Sequence, residues 1–132
     1  MKQLNEVAEL LSSTGVLIPG AQVSQDEAVR IVRERYPFSE YCIVSHWIWI
    51  DIDVSAIEND ALARTKRQPA VLCAHNVIYD SQRRWDVGDF VRTSLLHSFE
   101  DGFIFKTLNS VYILMGDGVR KRAAPEIVGR IF

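Results

Sequence analysis

The sequence predicts an α+β fold in which two N-terminal helices are followed by a mainly antiparallel sheet of about five strands and a short C-terminal helix. Helical periodicity is confined to roughly the first 35 residues, and β-branched and aromatic residues alternate with others from Tyr41 onward. Turn-forming residues then separate short apolar runs. Helices followed by strands favour α+β over a parallel βαβ sheet. At 132 residues, the chain is predicted to be one domain, residues 1–132.

The two N-terminal helices are predicted from periodicity and from capping residues. The first spans Lys2 to Ser13, and its apolar residues fall on one helical face: Leu4, Val7, Ala8 and Leu11. The second begins at Ser24, because Ser24 and Glu27 have the spacing of a capping box. Pro37 limits its extent, since the residue before a proline disfavours helical geometry.

The first predicted strand begins at Tyr41, and its residues divide between two faces. Strict alternation gives a core face: Val44, Ile48, Ile50 and Ile52. It gives a second, amphipathic face with Tyr41 in register: Trp47, Trp49, Asp51 and Asp53. The tryptophan face is expected to pack under a helix; the alternative is an exposed anchor patch for a partner.

The rest of the chain is predicted to form a short helix, two further strands and a hairpin. Ser55 and Glu58 repeat the capping-box spacing, which predicts a short helix that ends near Arg64. The predicted strands are Ala70 to Tyr79, Arg84 to Thr93 with a bulge at Gly88, and Phe103 to Thr107 paired with Val111 to Met115. Leu95 to Phe99 is ambiguous between strand and helix. Gly116-Asp117-Gly118 is expected to end the sheet, and Pro125 to begin the terminal helix.

Composition restricts the classes of function. The net charge of −2 argues against a dedicated nucleic-acid-binding protein, which usually has a basic domain. The longest apolar run, Tyr41 to Ile52, is interrupted and too short for a membrane span. Two cysteines without a recognisable signal sequence indicate a cytoplasmic protein with reduced, buried thiols, namely Cys42 and Cys73.

Few residues have a spacing that indicates chemistry. Asp51 and Asp53 lie at i and i+2 on a strand, roughly 7 Å apart, a weak signal for Mg²⁺. Cys73 and His75 have the same spacing, which would permit a thiolate–imidazole pair, although core packing is the favoured interpretation. The histidines at 46, 75 and 97 show no zinc spacing. We therefore predict no metal and no cofactor.

Basic residues are concentrated in the C-terminal half of the chain. They are Arg83, Arg84, Arg92, Lys106, Arg120, Lys121 and Arg122. If the hairpins stack in sequence order, several would converge into a patch that suits an acidic protein surface or phosphates; the alternative is a scattered, solvated set. The candidate binding residues are therefore Arg84, Arg92, Arg120, Lys121 and Arg122, together with Trp47 and Trp49.

Short motifs are spread through most of the chain. In the middle stand Asp80-Ser81, Arg84-Trp85, Gly88-Asp89 and Val91-Arg92-Thr93-Ser94. Later come Phe105, Thr107, Asn109-Ser110-Val111-Tyr112, Gly116, Gly118 and Arg120-Lys121, and near the start Ile18-Pro19-Gly20 and Tyr36-Pro37. Together they resemble a small family of proteobacterial phage and prophage proteins without an established activity. Asn59 to Arg67 lies outside the resemblance.

The resemblance implies a mobile-element protein that acts inside a bacterial cell. By analogy with small phage proteins, the leading hypothesis is a non-enzymatic accessory factor that binds a host protein or protein complex and could antagonise a defence system such as CRISPR interference. One rival is a small enzyme with a pocket in the sheet, using Asp80, Arg92, Asn109 and Tyr112. Another is a nucleic-acid-binding module that uses the basic half. No membrane partner is expected, and a homo-oligomer is left open.

Overall fold

The computed structural model describes residues 2–12 and 14–131. In these ranges the helices are α1 (Lys2–Ser12), α2 (Gln25–Arg35), α3 (Ala56–Arg64) and α4 (Pro125–Ile131). The strands are β1 (Val16–Ile18), β2 (Glu40–Ile52), β3 (Ala70–Asp80), β4 (Val91–Arg92), β5 (Ser98–Glu100), β6 (Ile104–Lys106), β7 (Ser110–Leu114) and β8 (Gly118–Ala123). Ser13, which the sequence placed in the first helix, lies outside the described residues.

Strand β2 organises an eight-stranded mixed sheet. One edge of β2 pairs antiparallel with β3, and the other pairs parallel with β7 over its first half and with β8 over its second. The prediction of about five mainly antiparallel strands after two helices is therefore wrong. The chain does not leave the sheet at Gly116, where φ is +67°, but continues in the same direction as β8 along the same edge of β2. Strand β1, between the first two helices, pairs with β8.

The sheet curls into a half-barrel with an aromatic interior. Strands β6 and β5 continue the sheet beyond β7, while β4 pairs with the outer edge of β3. A further bridge between Gln68 and Leu96 brings the chain after β4 along β3. The enclosed side chains include those of Trp47, Trp49 and Phe105. This interior is one of three apolar clusters in the described chain.

An irregularity at His46 reverses the alternation of β2. His46 has φ +53°, in the left-handed region that non-glycine residues rarely adopt. Before it, Val44 faces the half-barrel interior; after it, Trp47 does so, while Ile48 faces the opposite side. The predicted grouping of Val44 with the later isoleucines is thus wrong. The same reversal separates Tyr41 from the tryptophans, because Tyr41 packs with α2.

The helices α1, α2 and α4 cover the outer side of the sheet. Helices α1 and α4 pack over Ile48 and Ile50, and α2 packs over Tyr41 and Ile43. Helix α3 crosses from β2 to β3 and has no buried residue. Within the described residues, no helix is long and apolar enough to cross a membrane.

The local signals for caps and turns are largely confirmed. Ser24 accepts a hydrogen bond from the Glu27 amide at 3.2 Å, and at Ser55 both capping-box bonds are present. The terminal helix begins at Pro125 as predicted. The strand predicted from Arg84 to Thr93 is reduced to β4, because turns occupy most of residues 81–90 and Gly88 has φ +92°.

Candidate binding site beside strand β2

The predicted basic residues on β8 alternate between the two sides of the sheet. Arg120 pairs with Asp51 (Nε to Oδ2 2.6 Å), and Arg122 pairs with Asp53 (Nη1 to Oδ1 2.7 Å). Burial alone would raise the pKa of Asp51, but hydrogen bonds from Arg120 and Trp49 outweigh it and hold that pKa below its usual value. The two aspartates therefore form ion pairs with arginines. Within the described part of the chain, no cluster of three acidic, histidine or cysteine side chains could hold a metal ion.

Lys121 points away from its two arginine neighbours and is 8% exposed. Its Nζ donates to the carbonyl oxygens of Leu10 at 2.6 Å and Leu11 at 3.3 Å, at the C-terminal end of α1. A cation at that end satisfies carbonyls that lack helical partners. Burial lowers the pKa of Lys121. Lys121 thus fastens α1 to the sheet, and a basic patch of all three residues does not form.

Arg84 forms the centre of a partly buried clamp. Its guanidinium binds both carboxylate oxygens of Asp80, with Nη2 to Oδ1 at 2.7 Å and Nε to Oδ2 at 3.1 Å. It also reaches Glu40 at 3.1 Å and the hydroxyl of Ser110. The Asp80 side chain is fully buried. The clamp joins the ends of β2, β3 and β7, so Arg84 has a structural partner on each of these strands.

The four residues of the proposed enzyme site do not form a pocket together. Asp80 is neutralised by Arg84. Arg92 lies on β4 and donates to the carbonyl of Ile131. Asn109 is exposed on a turn, whereas Tyr112 is buried and its pKa is raised by burial to about 12. This arrangement does not supply an acid, a base and a cation around one space.

Trp47 and Trp49 lie inside the half-barrel and not beneath a helix. Trp47 is 1% exposed, and its Nε1 donates to the Gly116 carbonyl at 3.3 Å. Trp49 makes edge-to-face contacts with Phe99 and Phe105, at centroid distances of 4.9 and 5.2 Å. An anchor for a partner has to be accessible, which these buried rings are not. Their role in binding remains a prediction that the free structure does not favour.

The two thiols are free and buried, as predicted. Burial raises the pKa of Cys42 to about 12 and that of Cys73 to about 11. A thiol with such a pKa is protonated at neutral pH and is a poor nucleophile. His75 is exposed and packs near Phe90, with ring centroids 5.3 Å apart. No contact joins it to Cys73 among the described interactions.

A polar cavity of about 290 Å³ lies where β6, β7 and the segment before β2 meet. Its lining includes Ser39, Lys66, His97, Lys106 and Leu108. The His97 Nδ1 lies 2.6 Å from the Lys66 carbonyl, and the His97 amide donates to the Lys106 carbonyl at 2.7 Å. We call these five residues, with the adjacent Phe38, the Lys106 surface.

The Lys106 surface combines exposed apolar side chains with lysines that have no carboxylate partner among the described residues. Phe38 is 100% exposed and Leu108 is 54% exposed. The Lys106 ammonium lies 4.3 Å from the centroid of the Tyr36 ring, and neither it nor Lys66 has a carboxylate partner among the described residues. An exposed aromatic residue near a polar rim is a feature of protein interfaces, in which aromatic residues are enriched.

A second cavity, of about 390 Å³, lies on the other side of Ser39. We call it the Tyr41 pocket; its lining includes Arg33, Tyr36, Tyr41, Tyr79, Ser81 and Gln82. Tyr41 is 5% exposed, and its buried hydroxyl has no hydrogen-bond partner among the residues that the structure describes. Such a group costs about 1–3 kcal/mol of folding free energy. Burying a phenol without a partner is unusual enough to require an explanation.

Sequence patterns missed both cavities because each joins distant segments. Lys66 follows α3, whereas Lys106 ends β6, and Arg33 belongs to α2, whereas Tyr79 belongs to β3. Of the residues predicted for binding, Arg84 is connected to these cavities, since its clamp includes Glu40, the residue after Ser39. In the sequence, Lys106 is distinguished only as one of several basic residues in the C-terminal half of the chain. Phe38, next to Pro37 in a turn, offered the one readable signal: a large apolar residue where the chain has no regular structure.

Comparison with known proteins identifies the family of the chain but no activity. Searches of curated proteins and of solved structures found no match. A family model matches residues 19–130, which is most of the chain and includes every strand except β1. The chain therefore belongs to the family described as a domain of unknown function, DUF6957.

Proposed function

We propose that the protein is a phage- or prophage-type accessory factor that acts without catalysis by binding a host protein. The contact would be made by the Lys106 surface with an acidic patch on the partner. The observation that carries this proposal is that Lys66 and Lys106 line one cavity without a carboxylate partner among the described residues. Ser39, which also lines it, follows the fully exposed Phe38. The arginines at 84, 120 and 122 are instead held in ion pairs.

The composition of the surface favours a protein over a nucleic acid as the partner. Aromatic anchors surrounded by charged groups are characteristic of protein interfaces. A nucleic-acid surface requires many cations to neutralise consecutive phosphates, and the chain has a net charge of −2. The resemblance to phage and prophage proteins supports a bacterial host protein, and defence complexes such as CRISPR effectors are the first partners to test.

The experiment places a photo-crosslinking amino acid at position 38 of the full chain, expressed in bacterial cells. The crosslinked protein is identified by mass spectrometry, purified and titrated against the wild type. Phe38→Ala and Lys106→Glu are each expected to weaken binding about 30-fold, which corresponds to about 2 kcal/mol. Leu17→Ala and Arg122→Glu are matched controls, because both side chains are exposed elsewhere in the fold.

The outcomes separate the alternatives. Equal binding by all four variants would refute the Lys106 surface as the interface. Binding to nucleic acid, with an affinity that falls steeply as salt rises, would replace the proposal with the nucleic-acid hypothesis. If the purified partner is a defence nuclease, its activity is measured with wild type and Phe38→Ala; inhibition by the wild type alone would establish antagonism.

A further inference from the structure

The polar cavity of the Lys106 surface brings two lysines from distant segments to one space. Lys66 follows α3 and Lys106 ends β6, and both line the cavity of about 290 Å³. None of the described residues that line it is acidic. A cleft lined by charges of one sign concentrates ions of the opposite sign. The cavity is therefore expected to attract an anion.

His97 joins the two backbone segments that carry these lysines. Its amide donates to the Lys106 carbonyl at 2.7 Å, and its Nδ1 lies 2.6 Å from the Lys66 carbonyl. Because a carbonyl oxygen only accepts, Nδ1 carries the proton of this hydrogen bond. Lys66 has φ +59°, in the left-handed region, and its amide donates to the Ala63 carbonyl at 3.0 Å. The segments are therefore fixed before an anion binds, which lowers the entropic cost of binding.

Two exposed polar side chains add hydrogen-bond donors to the cavity. Ser39 and Asn109 both line it, and neither side chain has a hydrogen-bond partner among the described residues. A serine hydroxyl and an asparagine amide can each donate to an anionic oxygen. Hydrogen bonds to an ionised acceptor are stronger than those between neutral groups. Together with the lysines, these side chains suit an anion that presents several oxygens.

Apolar side chains lie at the edge of the same cavity. The partly exposed Leu108 lines it, and the fully exposed Phe38 precedes Ser39. A free inorganic anion gains nothing from apolar surface, whereas an anionic group on a polypeptide can place its neighbouring side chains there. The edge of the cavity therefore favours an anion that is attached to a protein.

We propose that this cavity receives a phosphorylated side chain from the acidic patch of the partner, so that binding depends on phosphorylation of the partner. This inference rests on the function proposed above and names the group that the Lys106 surface recognises. A phosphorylated side chain carries a charge of about −1.5 to −2 at pH 7 and three acceptor oxygens, whereas an aspartate or glutamate carries a single charge. The phosphate pairs with Lys66 and Lys106. Its remaining oxygens accept from Ser39 and Asn109, and the residues beside it contact Phe38.

The test titrates the full chain by calorimetry and ligand-observed NMR with inorganic phosphate and three short peptides. In the peptides, leucines flank a central phosphoserine, glutamate or serine. The phosphoserine peptide is expected to bind with a Kd of about 1 mM or tighter. The glutamate peptide should bind at least about 10-fold more weakly, because it has less charge and fewer acceptor oxygens. Inorganic phosphate should also bind more weakly than the phosphoserine peptide, because it makes no contact with Phe38.

Two variants locate the site. Lys66→Gln and Lys106→Gln are each expected to weaken binding of the phosphoserine peptide about 10-fold, because each removes one charged partner of the phosphate. Arg64→Gln is the matched control, since it removes the same charge from an exposed position in α3 that does not line the cavity. Thermal melting checks that the variants are folded; Lys66 is exposed, so its variant decides the question if Lys106→Gln does not fold.

Three results of the titration would overturn the proposal. The first is no binding of the phosphoserine peptide up to about 10 mM, roughly ten times the expected Kd. The second is equal binding of the glutamate peptide, or binding that the control weakens as much as the two lysine variants do. The third is inorganic phosphate binding as tightly as the phosphoserine peptide, with Phe38→Ala altering neither affinity, which would indicate a site for a free phosphate compound.

The crosslinked partner gives a separate test. Its affinity for the full chain is measured before and after treatment with a phosphatase, and the treatment is expected to weaken binding at least about 10-fold. Unchanged affinity would refute the role of phosphorylation and leave the Lys106 surface as an interface. Binding of the phosphoserine peptide in cells where no protein crosslinks to position 38 would instead support the anion site and refute the proposed host partner.

Discussion

Replacement of Tyr41 by phenylalanine should stabilise the free protein, an unusual direction for a substitution at a buried site. The phenol is buried and has no hydrogen-bond partner in the described part of the chain, so its desolvation is not compensated. Removing the oxygen should raise the free energy of unfolding by about 1–3 kcal/mol. For a chain of 132 residues, this corresponds to a rise in Tm of roughly 3–6 °C per kcal/mol.

Tyr36→Phe is the matched control, because the same change there removes a hydroxyl that donates to Glu100. That variant should lose about 1 kcal/mol. Both variants are measured by urea denaturation, fitted with one shared m-value, and by thermal melting without ligand. If Tyr41→Phe is destabilised to the same extent as Tyr36→Phe, the Tyr41 hydroxyl has a partner, such as a bound water, and the desolvation argument is refuted.

Three further predictions concern the interior. Asp80→Ala should lose up to about 3–5 kcal/mol of stability in urea denaturation, because it leaves the partly buried Arg84 guanidinium with only the exposed Glu40 as a carboxylate partner. A loss below about 1 kcal/mol would contradict the clamp. Gly118→Ala should lose about 1–3 kcal/mol of unfolding free energy, since its added Cβ would lie 2.2 Å from the Trp47 indole ring. In the control Gly129→Ala, in α4, the added Cβ meets open space, and the unfolding free energy should rise by a few tenths to about 1 kcal/mol. Cys42 and Cys73 should react with a maleimide at pH 8 at least roughly 10²-fold more slowly than a free thiol, because their pKa values are about 12 and 11; rapid labelling of the native protein would show that the thiols are accessible.

Local features of the fold could be predicted from the sequence because their causes are local. The caps at Ser24 and Ser55 depend on residues three positions away, and the start of α4 depends on Pro125 alone. The hairpin that pairs Phe105 with Tyr112 requires only a short turn between two strands. Each of these was readable from spacing within a few residues.

The sheet order could not be predicted because it depends on contacts between distant segments. Strand β2 lies parallel to β7, and Tyr41 is opposite Val111, seventy positions later in the chain. Periodicity shows which face of a strand is apolar but not which strand lies beside it. The sequence alone therefore predicts that the basic run at 120–122 follows the sheet, whereas in the fold it belongs to β8. Ion pairs with Asp51 in β2 and with Asp53 just after β2 decide the role of its two arginines.

The surroundings of Tyr41 depend on a local irregularity of β2 that alternation alone does not reveal. Had β2 alternated regularly, Tyr41 would share a face with Trp47 and would lie inside the half-barrel. The left-handed conformation of His46 reverses the faces, so Tyr41 packs outward against α2, where Arg33 can reach the same cavity. The irregularity therefore separates two aromatic groups with different surroundings: the tryptophans fill the interior, and the Tyr41 ring packs among residues of α2, β2 and β7 with its hydroxyl buried.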